Sequence, residues 1–268
     1  MVSQFLKRLF GSSDSDEKDS LGLREKGIKT PTFLVGDFGK EVLEEYKDRT
    51  KTDYNGNSSL NVLSWYDGKV VGSNPFAVVL VNQIIRAGNL RTATPADLER
   101  VLEQKSLDLG SSYNDTALVL RTQCGYNVQL AQHLAKQVKK RNGKFEYPVM
   151  IPLVGLDLDD PNSDASKSSD YGLAFKLRDD AQIVYAPELL NENDGQRFSS
   201  ANDNGLPILR GSGNKTLYTT QFGLVRAYLI SGRDFFANCV HLRYSIEFGR
   251  VVVVGAAGAA HENSGGNQ

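Results

Sequence analysis

Cys239 and His241 stand two residues apart, a spacing that puts both side chains on one face of a strand, where a thiol and an imidazole can serve as nucleophile and base. The chemistry stops there, because no third group orients the histidine and no oxyanion elbow accompanies the pair. Asp157, Asp159, Asp160, Asn162 and Asp164 crowd oxygen ligands into a short stretch, as a hard cation such as calcium requires. Pro161 interrupts that run and the glycine and closing glutamate of an EF-hand loop are missing, so solvated turn residues ahead of the polar stretch 163–169 are the expectation. His133 and His261 lie in no nucleophile or metal motif, and GxGxxG, P-loop and HExxH patterns are all missing. Lys139, Lys140 and Arg141 end a helical pattern, where cations offset the dipole. The reading is a protein that is not an enzyme, with no catalytic residue, no cofactor and no metal.

The elements that would position any site come next. The chain has 268 residues, 40% of them hydrophobic, enough for a substantial core, and a formal net charge of −1 that leaves no broad basic surface for nucleic acid. Cys124 and Cys239 are too few and too far apart for a disulfide framework. No apolar run approaches the ~20 residues of a membrane span, and the N-terminus is too short in apolar residues for a signal peptide, which points to a cytoplasmic or virion-associated protein. Within residues 1–10, Val2, Phe5, Leu6, Leu9 and Phe10 share a helical face, compatible with weak membrane or partner contact. Residues 1–20 read as a flexible segment and linker, and 257–268 as a disordered tail.

Residues 21–146 read as an α+β N-terminal part of the fold. Asp67-Gly68 between apolar runs signals a hairpin. The run 76–85 is apolar throughout, so periodicity does not choose between strand and helix. Thr94-Pro95-Ala96-Asp97 starts one helix; Tyr126, Leu130, Leu134 and Val138 mark a second, ending near Arg141. From residue 147 short strands alternate with polar loops: an apolar strand over 149–156, a hairpin joining 173–177 to 183–185, and a long irregular connection over 191–215.

The stretch from Phe222 to Ile246 runs 25 residues without Lys, Glu, Gln, Met or Trp. A buried strand would also lack these, but it would be continuously apolar or alternate with period two, and residues 229–248 show no such pattern. Ser231, Arg233, Asp234, Asn238, His241, Arg243 and Tyr244 are scattered through it, which predicts an exposed, aromatic, hydrogen-bonding surface of the kind recognition sites use. Ile230, Gly232, Asp234, Phe236, Asn238, Cys239, His241, Arg243 and Tyr244 are all reachable from one asparagine codon by changing its two adenines.

On these residues the chain resembles the variable proteins of diversity-generating retroelements, of the archaeal or archaeal-virus type. Gly223, Leu224, Arg226, Tyr228, Leu229, Leu242, Ser245 and residues 249–254 look like fixed scaffold. Ile230, Ser231, Gly232, Asp234, Phe236, Asn238, Cys239, His241, Arg243, Tyr244, Ile246 and Phe248 look like variable, ligand-binding positions written by an adenine-mutating reverse transcriptase. The resemblance implies a C-type lectin-like fold, with 147–256 its C-terminal part, a variable region over about 222–250 and a last core strand behind it. It implies a non-enzymatic receptor for an unknown protein or surface ligand. Arg233, Phe235, Ala237 and Glu247 depart from the expected scaffold Leu or Ser, and Glu247 cannot come from such a codon. A lectin-like enzyme using a cysteine and a structural or assembly protein are the alternatives.

Overall fold

The computed structural model describes residues 29–190, 195–231 and 233–256. They form a mixed α+β fold around a sheet curled into a half-barrel. The proposed N-terminal helical face in 1–10, the linker to residue 20, the tail 257–268 and Gly232 lie outside the described residues.

Strong local signals become the expected elements. Strands β2 (Ser64–Tyr66) and β3 (Lys69–Val71) pair across Asp67-Gly68, both at positive φ as a tight right-twisting hairpin turn requires. The run at 76–85 is helix α2 (Pro75–Ile85), buried almost all round; Asn74 decides the matter by capping it, its Oδ1 accepting from the Ala77 amide at 2.8 Å, with Pro75 in the first turn. Thr94 and Asp97 form a reciprocal capping box on α3 (Pro95–Gln104). Helix α4 (Val128–Asn142) buries Leu130, Leu134 and Val138 on one face. A helix that the sequence reading did not single out, α1 (Gly36–Thr52), buries Val42, Leu43 and Tyr46 through a thin stripe in an otherwise charged segment.

Eight strands make the main sheet, in the order β11 (Pro207–Leu209), β10 (Gln196–Ala201), β12 (Lys215–Thr219), β14 (Asp234–Cys239), β13 (Leu224–Ile230), β5 (Tyr113–Leu120), β6 (Val149–Pro152) and β9 (Val184–Tyr185). The sheet therefore joins strands from both sides of residue 146. Its two faces carry separate cores. Ala117, Val119, Val225, Ala227, Leu229, Phe235 and Ala237 form the core on one face together with Leu98 and Val101 of α3. On the opposite face Leu118, Leu120, Leu224 and Ile151 pack with residues of α2 and α4. Strand β5 is buried at all eight positions because it has a core on both sides. The last strand, β15 (Val252–Gly255), lies between β1 (Thr32–Phe33) and β4 (Leu90–Thr92) in a three-stranded sheet.

Three expectations are corrected. Residues 175–177 and 183–185 are not a hairpin: β8 (Phe175–Leu177) pairs with β7 (Leu156–Leu158), while β9 pairs with β6. The reason is that the apolar run at 149 breaks after Pro152 into a short 3-10 turn and a second strand, which takes β8 as its partner. The connection over 191–215 is not irregular from 195 onward, residues 191–194 lying outside the described residues: β10 pairs with both β11 and β12, and the Asn202 side chain folds the turn by accepting from the amides of Asn204 and Leu206. Finally, the segment at 222–246 does contain alternation. Strands β13 and β14 form a hairpin in which Val225, Ala227, Leu229, Phe235 and Ala237 point into the core; the outward positions between them carry aromatic and aliphatic side chains too, which hides the period from a linear reading.

Candidate functional site

Helix α4 reaches β13 at Leu224; farther along, the face of β5, β13, β14 and β12 opposite Leu229, Phe235 and Ala237 carries Tyr228, Phe236 and Tyr218 half-exposed. Four aromatic rings cross it, one per strand. Phe236 stacks between Tyr218, at 4.4 Å, and Tyr228, at 5.2 Å, and Tyr113 meets the far edge of Tyr228 at 5.8 Å. These spacings follow from the ~4.8 Å separation of neighbouring strands. Burial pushes the Tyr228 hydroxyl up to about 12, so it is a neutral donor at physiological pH. Asp234, at the start of the same strand, accepts a hydrogen bond from the Thr216 amide at 2.9 Å.

Beneath the ladder lies a buried ion pair. The Arg226 guanidinium grips Asp115 with both ends, Nε to Oδ1 at 2.6 Å and Nη2 to Oδ2 at 2.5 Å, and Ser73 Oγ donates to the same carboxylate at 2.6 Å. Burial would lower the arginine, but attraction and hydrogen bonds from Asp115 outweigh it and hold the guanidinium above its ordinary value. Tyr113 and Tyr228 flank the cation, with ring centres at 5.3 and 5.0 Å.

Past β14 the chain leaves the sheet as a loop over 240–250. Its main chain is held by side chains from distant elements. Asn127 Nδ2 donates to the Val240 oxygen at 2.8 Å, the Tyr171 hydroxyl accepts from the Leu242 amide at 3.4 Å, and Asn74 Nδ2 donates to the Arg243 oxygen at 3.1 Å. Arg226 Nη1 donates to the Tyr244 oxygen at 2.6 Å, and the Tyr113 hydroxyl accepts from the Ile246 amide at 3.0 Å. Ser245 Oγ accepts from the Ser73 amide at 2.9 Å, which pins the middle of the loop to the start of α2. At the exit Gly249 passes so close that a Cβ there would lie 2.5 Å from the Ser73 nitrogen, so only glycine fits.

The side chains sort accordingly. Ile230, Ser231, Asp234, Phe236, Asn238, Cys239, His241, Arg243, Tyr244, Ile246 and Phe248 are each partly or fully exposed; Leu224, Arg226, Leu229, Leu242 and residues 251–254 are buried. Tyr244 is 56% exposed, Ile246 40% and Phe248 49%, a concentration of large apolar side chains that a chain hides unless it uses them. Of the positions that depart from the expected scaffold, Phe235 and Ala237 are buried, whereas Arg233 and Glu247 are exposed. An open groove of about 860 Å³ separates the loop from residues 58–72, with His241, Arg243, Tyr244 and Ile246 on one side and Ser58, Asn61 and Ser64 on the other.

The other candidates are committed elsewhere. Cys239 meets the main-chain oxygen of His241, at 4.0 Å from Sγ. Asp157 is engaged by Arg86 at 2.6 Å and lies 4.0 Å from Arg178; the Asp160 carboxylate turns its own loop by accepting from the Asn162 amide at 2.7 Å. Among the described residues no group of three or more His, Cys, Asp or Glu is arranged to hold a metal ion. Burial lowers His133, whose Nε2 lies 4.0 Å from Asp159. Arg141 donates to the Arg178 oxygen at 2.9 Å. None of the described helices is long and apolar enough to cross a membrane.

Sequence reasoning missed the residues that hold the loop: Asn74, Tyr113, Asp115, Asn127 and Tyr171 are isolated polar or aromatic residues whose pairing spans up to 169 positions in the case of Asn74 and Arg243, and no local pattern announces such partners. Comparison of the chain with protein-family models, with curated proteins and with solved structures finds no match.

Proposed function

We propose that this chain is a non-enzymatic ligand-binding protein whose C-terminal surface is diversified by a retroelement, the variable protein of a diversity-generating system with a C-type lectin-like fold. One observation carries the reading: the loop at 240–250 is fastened through its main chain by fixed side chains, while the candidate variable side chains on it are exposed. Such a loop keeps its shape whatever side chains it displays. Fixed scaffold and displayed positions then interleave in sequence, as a template that varies only some codons requires. The position of β15 at the centre of its sheet, directly after the display segment, supports the expected anchor strand.

The DNA beside the gene tests the reading. It predicts a near-copy of the coding stretch for residues 222–254, carrying AAC at the variable codons, next to a reverse transcriptase gene. A genome with neither would overturn it.

A further inference from the structure

We infer that the groove between the display loop and residues 58–72 is a docking channel for an extended peptide segment of a protein partner, with a carboxylate of that segment seated on Arg243. The inference rests on the display reading and adds the class of partner and a second, invariant wall.

That wall lies outside the candidate variable positions and is fastened in part by residues that also hold the loop. The Tyr46 hydroxyl donates to the Leu60 oxygen at 2.5 Å, Asn74 Nδ2 to the Ser59 oxygen at 2.8 Å, and Asn57 Nδ2 to the Tyr171 oxygen at 3.0 Å. Its outward side chains, Ser58, Asn61 and Ser64, are exposed and make no hydrogen bond among the described residues. Asn74 belongs to both walls, since the same amide nitrogen also reaches the Arg243 oxygen. Both sides are thus in place before a ligand arrives, which removes most of the ordering cost of binding.

The chemistry of the two walls selects the occupant. Pockets for small molecules enclose most of the ligand. Here the groove is open and each wall mixes polar with apolar side chains, Asn61 and Ser64 with Val62 and Val71 on the fixed side and Arg243 with Tyr244 and Ile246 on the other. An extended chain satisfies both, because its successive side chains point to opposite walls. Arg243 makes no ion pair among the described residues, and a carboxylate is its two-pronged complement. With one arginine in the lining and Glu247 beside it, the groove lacks the cation density that a phosphate backbone needs.

Random linear peptides displayed on phage, panned against the full chain, test the inference. Enrichment of acidic peptides is expected, with binding weakened about tenfold or more by Arg243→Glu and by the blocking substitutions Asn61→Trp and Ser64→Trp. These sites are exposed, and thermal unfolding of each variant confirms that it folds. Peptides indifferent to all three but lost on Asn238→Ala or Phe236→Ala would overturn the channel and leave the display reading standing. Binding that depends on none of these positions, or no enrichment at all, would overturn the channel and count against the display reading too. Succinate competing as well as the peptides would mark a small-anion site and overturn the inference.

Discussion

Strand β14 and the loop that follows it carry the same kind of composition, yet they fix their backbones by different means. On β14 the ladder to β13 and β12 sets the conformation, and alternation sends Phe235 and Ala237 inward and Asp234, Phe236 and Asn238 outward. The outward side chains still do structural work, because neighbouring strands bring fixed partners within reach: Phe236 between two tyrosines, Asp234 on the Thr216 amide. On the loop, strand-like backbone pairing is confined to its exit, where Phe248 and Arg250 bond the Tyr113 main chain and Gly249 accepts from the Gly72 amide; over 240–246 side chains from other elements reach in and hold main-chain atoms. The side chains of His241, Arg243 and Tyr244 make no hydrogen bond among the described residues. On the proposed display reading, a sheet surface tolerates variation conditionally, and a loop clamped by its backbone tolerates it freely.

Substitutions can break this contrast. The largest effect is expected from Arg226→Met, which leaves Asp115 buried without its cation and frees the Tyr244 oxygen; about 3–5 kcal/mol should be lost in urea unfolding. Asn74→Ala should cost about 2–3 kcal/mol, since it removes a helix cap and two carbonyl partners, and hydrogen exchange should rise along the loop before it rises in β14. Phe236→Ala, on the strand side, should cost about 1–2 kcal/mol through two lost ring contacts. His241→Ala, Arg243→Ala and Tyr244→Ala should each stay within about 0.5 kcal/mol. Equal costs at Phe236 and Tyr244 would erase the distinction between strand and loop.

A pH measurement provides a control outside both regions. Burial alone would raise the Asp97 carboxyl, but Arg91 and Thr94 outweigh it and hold it below its ordinary value. A depressed carboxyl contributes stability that is complete above the unfolded value of ~3.9 and is lost as pH falls through the folded one. Asp97→Asn should therefore flatten the decline of stability in that acid window, with no change in the loop's exchange rates.

Much of the fold was legible where a local rule sufficed. Asp67-Gly68 needs positive φ, Thr94 and Asp97 cap each other, and the four-residue recurrence in α4 has one face to bury. What escaped depends on distant partners. Whether 175–177 pairs with 183–185 or with 156–158 is decided by where the chain turns after Pro152, and the composition of either strand is silent on it. The inward residues alternate along β13 and β14, but Phe235 and Phe236 are chemically alike and the outward positions include aromatic rings, so composition does not show which of the two faces the core. At the candidate site the positions proposed as variable are at least partly exposed where described, as are Tyr228, Ser245 and Arg250 among those expected to be scaffold, and the means of holding the loop left no mark in the local sequence. Asp115 and Arg226 are 111 residues apart, and nothing in the sequence near either residue shows that one charge answers the other.

The central claim is that the loop's shape is independent of what it displays. Its most direct test is to randomise His241, Arg243, Tyr244, Ile246 and Phe248 together with codons derived from AAC, and to score folding of each clone by protease resistance. A matched library would randomise Leu224, Arg226, Leu229, Leu242 and Gly249. The account predicts that most clones of the first library stay folded and that nearly all of the second do not. Comparable survival in the two libraries would contradict it.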